Sequence, residues 1–414
     1  MKTTFTIYAV LLFTLGIVLP TWAQQNQDFF TIRGVVKDGA SERTLEYANI
    51  SLKNTNIGTI TNTDGYFSLK ISNETKNAHI EIAHIGFNSI TIPIDKNVQK
   101  QLTITLEPTP RVLDQITIKA IDATELVTKA IDLIETNYSQ NTQLLSGFYR
   151  ETIRKRKTYI NVSEAVIDIY KRPYLEDFNR DRLSIHKGRK LISTKPSDTL
   201  MIKFLGGPNL ALYLDIVKSP DLMFSSNNLF KYKFSIDQIV MIEGRPHFVV
   251  NFTPQVVMPY ALHYGKLFID RTSLAVSRAE IHVDMTNRNK VTQTILRKKP
   301  LNMRFRPESI SYLITYKQRQ GKTYLNYIRN EIQFKCDLRK KLFSTNYTIV
   351  SETVITGGKS ENAQKIQNKL IFKDNQSLSD KVADFYDPAY WEHYNIIEPD
   401  ESLENAVSRL IKKR

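Results

Sequence analysis

The chain has 414 residues, a single cysteine and a formal net charge of +15. A chain of this length is longer than one hydrophobic core usually supports, so two or three domains are predicted. A lone cysteine excludes an internal disulfide framework. The excess charge is local, because residues 150–345 hold 36 Lys and Arg against 17 Asp and Glu. Such a region is typical of a solvated face of alternating strands, or of a surface for anionic lipid headgroups, acidic glycans or nucleic acid.

Residues 1–23 have the pattern of a cleaved secretory signal peptide. Lys2 gives a positive start, residues 5–19 are almost uninterrupted apolar sequence, and Thr21 and Ala23 are small residues before the expected cleavage point. No later stretch approaches eighteen apolar residues, so we expect no transmembrane helix in the mature chain. The sequence thus predicts export to the periplasm or the outer-membrane periphery, which disfavours nucleic acid as a partner.

Residues 28–107 are predicted to form a β-sandwich of seven short strands separated by turn residues. The clearest local signal is residues 58–69, where Asp64 and Gly65 lie between two alternating runs and predict a hairpin with a tight turn over residues 62–65. The expected strands are residues 31–37, 47–53, 58–61, 66–71, 78–83, 88–94 and 102–106.

Five motif blocks in this region occur in the order of a known family. They are residues 34–36 (GVV) with Asp38, 45–50 (LEYANI), 58–59 (GT), 63–67 (TDGYF) and 85–87 (IGF). The region resembles the carboxypeptidase-regulatory-like domain, a transthyretin-like Greek-key sandwich common in exported Bacteroidetes proteins. The resemblance implies a structural or interaction module rather than an enzyme.

Residues 108–121 are predicted to be a linker or an extra strand, since Pro108 and Pro110 interrupt strand pairing. Residues 112–120 (VLDQITIKA) are similar to the segment that follows this module in TonB-dependent receptors. The chain after Ala120 is too short for a receptor's plug and barrel, so we interpret the segment as a connector.

Residues 122–358 are predicted to form a second domain, a long curved antiparallel sheet with packed helices. Asp122 and Glu125 indicate a helix start, with an apolar face that continues to residue 137. Hairpins are expected for residues 148–153 with 159–170, for 238–243 with 247–252 and for 264–269 with 274–283. Three further strands are expected at 308–317, 322–334 and 346–353, and a short helix at 205–218.

This order of helix, meander and helical insertion is similar to the lipoprotein-carrier (LolA-like) fold. In that family a curved sheet holds helices on its concave side and carries acyl chains. Residues 147–151 (GFYRE) and 390–400 (YWEHYNIIEPD) are similar to uncharacterised Bacteroidetes proteins that begin with the same module.

Residues 359–414 are predicted to comprise a polar segment, an aromatic cluster and a terminal amphipathic helix. Leu403, Val407 and Leu410 fall on one face of that helix. Two interpretations of Tyr390, Trp391 and Tyr394 remain open, an anchor for the tail on the preceding domain and a platform for glycans.

The sequence motifs predict no catalytic, cofactor-binding or metal-binding residue. The seven histidines lack zinc-site spacing, and His247 and His282 are interpreted as cross-strand surface residues. Cys336 is expected to be a buried apolar residue. The Glu176 and Asp177 pair lies in a mixed-charge loop, and an isolated Asp64 turn lacks the oxygens that calcium needs.

The function favoured by the sequence is a non-enzymatic, exported binding or envelope-assembly module that contacts lipid or an outer-membrane protein. The first alternative is a periplasmic carrier that shields an acyl chain in the concave sheet of the second domain. The second alternative is a hydrolase whose residues converge only in the fold.

Overall fold

The computed structural model describes residues 28–96, 101–109, 121–198, 203–204, 207–219, 225–301, 303–338, 344–359, 363–384 and 390–412. The predicted signal peptide, residues 1–23, and the predicted connector, residues 112–120, lie outside the described residues. Strands and helices below are numbered along the chain.

The first domain contains seven strands in two sheets, as predicted. They are β1 (Phe29–Asp38), β2 (Asn49–Leu52), β3 (Gly58–Ile60), β4 (Tyr66–Ser72), β5 (His79–Ala83), β6 (Ile90–Pro93) and β7 (Leu102–Leu106). One sheet has the order β4-β1-β7 and the other β3-β2-β5-β6. Both bury apolar side chains in one shared core, with Val36, Ile50, Leu69 and Ile80 among its fully buried members.

The turn over residues 62–65 forms as predicted, but the hairpin does not. Gly65 has a φ of +79°, and its amide donates to the Asn62 carbonyl at 3.0 Å. The Asn62 side chain then accepts from the amides of Asp64 and Tyr66. Strands β3 and β4 nevertheless lie in different sheets. The turn therefore carries the chain across the sandwich, which a tight-turn motif cannot distinguish from a hairpin.

The second domain is built on one eleven-stranded sheet of order β12-β13-β14-β15-β17-β18-β19-β8-β9-β10-β20. All neighbours pair antiparallel except β20, which is parallel to β10. The strands of this domain are β8 (Gln143–Lys155), β9 (Thr158–Lys171), β10 (Arg182–Ile192), β11 (Lys203–Phe204), β12 (Tyr232–Ile242), β13 (Arg245–Pro254), β14 (His263–Asp270), β15 (Val276–Val283), β16 (Leu296–Lys298), β17 (Met303–Arg319), β18 (Lys322–Leu338), β19 (Thr345–Lys359) and β20 (Ala383–Asp384). Strands β11 and β16 form a separate pair.

The predicted hairpins of the second domain are confirmed as β8–β9, β12–β13 and β14–β15. The helices are α1 (Ala123–Asp132), α2 (Ile134–Asn137), α3 (Leu210–Tyr213), α4 (Arg288–Ile295), α5 (Leu378–Lys381) and α6 (Glu401–Lys412). The predicted helix over residues 122–137 is interrupted at Leu133, and Asp122 caps α1 by accepting from the amides of Thr124 and Glu125. Strand β10 and helix α4 were not predicted.

The two faces of the large sheet have different coverings. On one face, which we call the helix-covered face, α1 and residues 211–217 lie over apolar side chains such as Ile167 and Ile328. Helix α4 covers the end of this face, where Val291 packs with Phe334. The opposite face, which we call the tail-covered face, is covered by the first domain and by residues 390–412.

Candidate functional site

The first domain, the large sheet and the C-terminal segment meet on the tail-covered face. Trp391 is 3% exposed, and its ring stands perpendicular to that of Phe148 at 5.3 Å between centroids. Ile60 of the first domain belongs to the same apolar cluster. The Tyr390 hydroxyl bonds to both the amide and the carbonyl of Gly188. These contacts confirm the anchor interpretation of the aromatic cluster.

The residues after this cluster run along the edge of the first domain. Thr59 donates to the Ile396 carbonyl at 2.9 Å, and Asn62 donates to the Pro399 carbonyl at 3.0 Å. The amide of Glu401, at the start of α6, donates to the Asp64 carboxylate at 2.8 Å. Asp64 is thus a partner of a helix start, where a negative charge is favoured by the helix dipole.

A buried charge triad connects the sheet to the same segment. Glu164 accepts from Arg150 and from Arg189, each at 2.8 Å, and Arg150 also donates to the Ile397 carbonyl at 2.7 Å. The guanidinium of Arg189 lies 4.9 Å from the centroid of the Trp391 ring. Burial raises the pKa of Glu164, but the two guanidinium groups outweigh it and hold the pKa below its usual value.

Beside this triad, a basic cleft of about 860 Å³ opens between the β8–β9 turn and α6. We call it the basic cleft. Arg156 and Lys157 are exposed on the turn, and Arg409 is exposed on α6. Among the described residues, the cleft is lined by five cationic residues, five uncharged polar or aromatic residues and no acidic residue, namely Arg154, Arg156, Lys157, Tyr159, Thr348, Ser402, Asn405, Ser408, Arg409 and Lys412.

The basic cleft continues into two smaller polar clefts along the boundary between the domains. The first, of about 280 Å³, shares Arg154 and Tyr159 with the basic cleft and reaches Tyr47 of the first domain. The second, of about 370 Å³, shares Tyr47 and Arg329 with the first. Arg329 donates to the Tyr47 hydroxyl at 3.0 Å. These two clefts include carboxylates, so the positive charge is concentrated at the α6 end.

A second charge network is buried under the helix-covered face. Lys171 lies 2.6 Å from Asp215, and Lys218 lies 2.6 Å from Asp181. The Tyr316 hydroxyl donates to Asp215 at 2.7 Å. Burial and the neighbouring Lys171 lower the pKa of Lys218 to about 8. The two cations and two carboxylates balance, and they hold residues 215–218 against the sheet, so we assign the network a structural role.

The structure corrects the interpretation of His247 as a surface residue. Its ring is fully buried, with Nδ1 2.8 Å from the Arg245 carbonyl and Nε2 2.7 Å from the Ser277 hydroxyl. Burial lowers the pKa of His247 to about 4. His282 does lie across from Tyr264, with ring centroids 5.2 Å apart.

The other residues that the sequence singled out have structural partners. Glu176 forms a bidentate pair with Arg172, with two contacts of 2.8 and 2.9 Å. Cys336 is buried, as predicted. Within the described ranges, no three His, Cys, Asp or Glu residues are grouped as a metal site would need. Among these same residues, no helix combines the length and apolar character that spanning a membrane requires.

Sequence reasoning missed the basic cleft, although one signal pointed to it. Residues 154–157 (RKRK) lie between the two strands of the hairpin predicted for residues 148–153 and 159–170, and α6 is the predicted terminal amphipathic helix. Only the packing of α6 beside the β8–β9 turn brings Arg409 and Lys157 into one cleft. The two runs are about 250 residues apart in the chain, so no local pattern connects them.

Comparison with known proteins identifies the first domain. A family model of the CarboxypepD_reg-like domain matches residues 32–118. This agrees with the resemblance seen in the motif blocks and assigns that part of the chain to a known domain class. No curated protein matches the chain.

Several solved structures align with the chain at low identity. A DUF1329 family protein from Desulfovibrio piger aligns over 61% of this chain and 98% of its own, with 11% identity and a TM-score of 0.26. A LolA superfamily protein from Nitrosomonas europaea aligns over 62% of this chain and all of its own, with 12% identity and a TM-score of 0.24. Lipovitellin, in a study of its lipid–protein interactions, aligns over 62% of this chain and 28% of its own, with 11% identity and a TM-score of 0.25.

Alignments with TM-scores of 0.24 to 0.26 are too loose to assign a function. The fold class rests instead on the observed sheet order and its helical covering.

Proposed function

We propose that this protein is a non-enzymatic binding module of the cell envelope that holds an anionic ligand in the basic cleft. The observation that carries the proposal is the lining of the cleft, which has five cationic residues and no carboxylate within the part of the chain that the structure describes. Positive charges gathered without counter-charges create a potential that attracts anions. Phosphate-bearing headgroups and acidic glycans are the ligand classes that an exported protein would meet.

The character of the lining favours binding over catalysis. Guanidinium and ammonium groups hold phosphate or carboxylate oxygens, with Arg the better match for bidentate contacts. The described residues of the cleft include no His, Cys, Asp or Glu that would act as a general acid, a base or an activated thiol. The hydroxyl and amide groups of Ser402, Asn405 and Ser408 add neutral hydrogen bonds to the same ligand.

The alternative function, a carrier for an acyl chain, would use the helix-covered face of the curved sheet. One apolar face is present, and this supports the alternative. Among the described residues, however, α1, Leu212, Ile216 and Phe372 already pack on that face. An acyl chain would therefore have to displace these side chains, whereas the basic cleft is open without rearrangement.

The proposal is tested by calorimetric titration of the exported mature chain with inositol hexakisphosphate, a compact soluble polyanion. Lys157→Glu combined with Arg409→Glu places two negative charges in the cleft at exposed positions, where substitution should not disturb folding. We expect this variant to bind at least tenfold more weakly than the wild type.

The matched control is Lys53→Glu combined with Lys76→Glu, which makes the same change in net charge on exposed residues of the first domain. We expect the control to bind within about twofold of the wild type, since exposed charges more than a Debye length away are largely screened. Equal losses in both variants, or no binding by the wild type, would refute the cleft as the ligand site.

A further inference from the structure

The two ends of the large sheet differ in charge. Because the strands are antiparallel, the segments leading into β12 and connecting β13 to β14, β15 to β17 and β8 to β9 all lie at one end, which we call the basic end. The described segments at this end, residues 156–157, 193–198, 225–231, 255–262 and 284–301, contain nine Lys or Arg and two Asp. At the opposite end, residues 139–142, 172–181, 243–244, 271–275 and 320–321 contain three Lys or Arg and four Asp or Glu.

The basic end also exposes large apolar side chains. Phe230 is 60% exposed, Val257 is 89% exposed and Tyr260 is 41% exposed, in two neighbouring segments that lead into and out of the β12–β13 pair. Leu301, near the start of β17, is 93% exposed. We call Phe230, Val257 and Tyr260 the apolar tip. Isolated exposed apolar residues are normal, but several together on adjacent loops indicate an interaction surface.

The apolar tip is held in place by hydrogen bonds between its segments. Gln255 donates to the Phe230 carbonyl at 2.9 Å, and Lys231 donates to the Tyr260 hydroxyl at 2.8 Å. The Lys231 ammonium lies 5.8 Å from the centroid of the Phe230 ring and 5.4 Å from that of Tyr260. Lys290 of α4 donates to the Met258 carbonyl at 2.5 Å. Aromatic rings and ammonium groups are thus presented together.

We propose that the basic end docks on an anionic lipid surface, with the apolar tip inserted among the headgroups. Aromatic side chains with a polar edge prefer the membrane interface, and lysines beside them place their charge at the headgroups. Each Lys or Arg close to an anionic bilayer strengthens binding by about fivefold. The inference rests on the proposed function and specifies it, since the β8–β9 turn of the basic cleft belongs to the same end.

The experiment uses the full mature chain with vesicles of phosphatidylcholine alone or with 30 mol% phosphatidylglycerol, where a brominated acyl chain serves as a contact quencher. Phe230→Trp places a reporter in the apolar tip, while the natural Trp391 is buried and gives a constant background. Leu175→Trp is the matched control, because Leu175 is 59% exposed in a segment at the opposite end.

We expect the Phe230→Trp emission to shift to the blue and to be quenched by anionic vesicles, with little change for neutral vesicles or for Leu175→Trp. Replacing Phe230 and Tyr260 together by Ser should reduce cosedimentation at least tenfold and leave binding of inositol hexakisphosphate unchanged. Equal quenching of both reporters overturns docking through the basic end.

If the protein binds inositol hexakisphosphate but not the vesicles, docking on a lipid surface is overturned. The basic cleft then remains a site for a soluble anion or a protein partner. If the wild type binds neither the vesicles nor inositol hexakisphosphate, both the anion site in the basic cleft and docking on lipid are overturned. Vesicle binding that survives removal of the apolar tip shows that charge alone holds the protein on the surface, and it also overturns insertion.

Discussion

Asn395 forms two reciprocal hydrogen bonds with the main chain of Lys70. Its side-chain oxygen accepts from the Lys70 amide at 2.7 Å, and its side-chain nitrogen donates to the Lys70 carbonyl at 3.1 Å. Lys70 lies on β4, which is an edge strand of its sheet. A single amide side chain thus satisfies polar groups of an edge that would otherwise be open to pairing with another chain.

Replacing Asn395 by Ala should loosen the contact between the C-terminal segment and the first domain. Two partly buried hydrogen bonds are lost, so we expect a decrease of about 1–3 kcal/mol in the free energy of unfolding. Hydrogen exchange of the β4 amides, above all that of Lys70, should accelerate. Asn405→Ala, at an exposed position of α6, is the control and should leave both quantities nearly unchanged. Unaltered exchange at Lys70 would contradict the prediction.

Glu164→Gln should destabilise the junction more strongly. The substitution leaves Arg150 and Arg189 without their buried counter-charge, which typically costs about 3–5 kcal/mol. The emission of Trp391, which packs against Arg189, should shift to the red at lower urea concentrations than in the wild type.

The comparison for this variant is Glu176→Gln, which breaks a pair with Arg172 near the surface. Partly exposed pairs contribute about 0–1 kcal/mol, so this change should be small. Similar losses of stability in the two variants would show that burial does not determine how much the charge triad contributes to the free energy of unfolding.

His247 should make the stability dependent on pH between about 4 and 6.5. Burial lowers the pKa of His247 from 6.5 to about 4. Above pH 6.5 the ring is therefore neutral in both the folded and the unfolded chain, and protonation of His247 does not reduce the free energy of unfolding. As the pH falls from 6.5 to 4, the unfolded chain binds a proton that the folded chain excludes. Stability then decreases by about 1.4 kcal/mol per pH unit, on the order of 3 kcal/mol in all.

Urea unfolding at pH 7, 6, 5 and 4 measures this slope. His247→Gln should make it shallower, with a residual slope because the pKa values of His84 and His263 are also lowered to about 4. His79→Gln, on an exposed ring of the first domain, should not alter it. A His247→Gln slope equal to that of the wild type would refute this account.

Cys336 should react with thiol reagents only when the protein unfolds. It is 7% exposed, and burial together with the adjacent Asp337 raises the pKa of its thiol to about 12. The thiolate is the reactive form, so modification at pH 8 should be at least a hundredfold slower in the native protein than in urea. Rapid modification of one thiol per native chain would contradict the burial of Cys336.

The local elements of this protein could be predicted from short patterns in its sequence. Alternating side chains and turn residues located all seven strands of the first domain, and the three hairpins that begin at β8, β12 and β14. Asp122 was recognised as a helix start because its carboxylate and the amides it accepts from lie within three residues. In each case the residues that pair or form hydrogen bonds are close in the chain, so residue composition and side-chain periodicity are sufficient to predict the element.

Patterns of the same kind failed where packing decides the outcome. Asp64 and Gly65 specify a tight turn, yet whether β3 and β4 pair or separate depends on the rest of the sandwich. His247 sits on a strand whose alternation is clear, but the element stacked on that strand determines whether its ring is solvated. Helix α4 was missed because its polar composition gives only a weak apolar stripe.

The sequence alone determined the domain class at the front of the chain, the antiparallel character of the second domain and the excess positive charge of residues 150–345. Only the tertiary structure decided that Arg150 donates to the Ile397 carbonyl and that Lys157 and Arg409 line one cleft. It also decided that the positive loops share one end of the sheet. Such contacts join residues hundreds of positions apart, and they form because apolar burial and charge pairing select one packing among many. No local propensity contains that information.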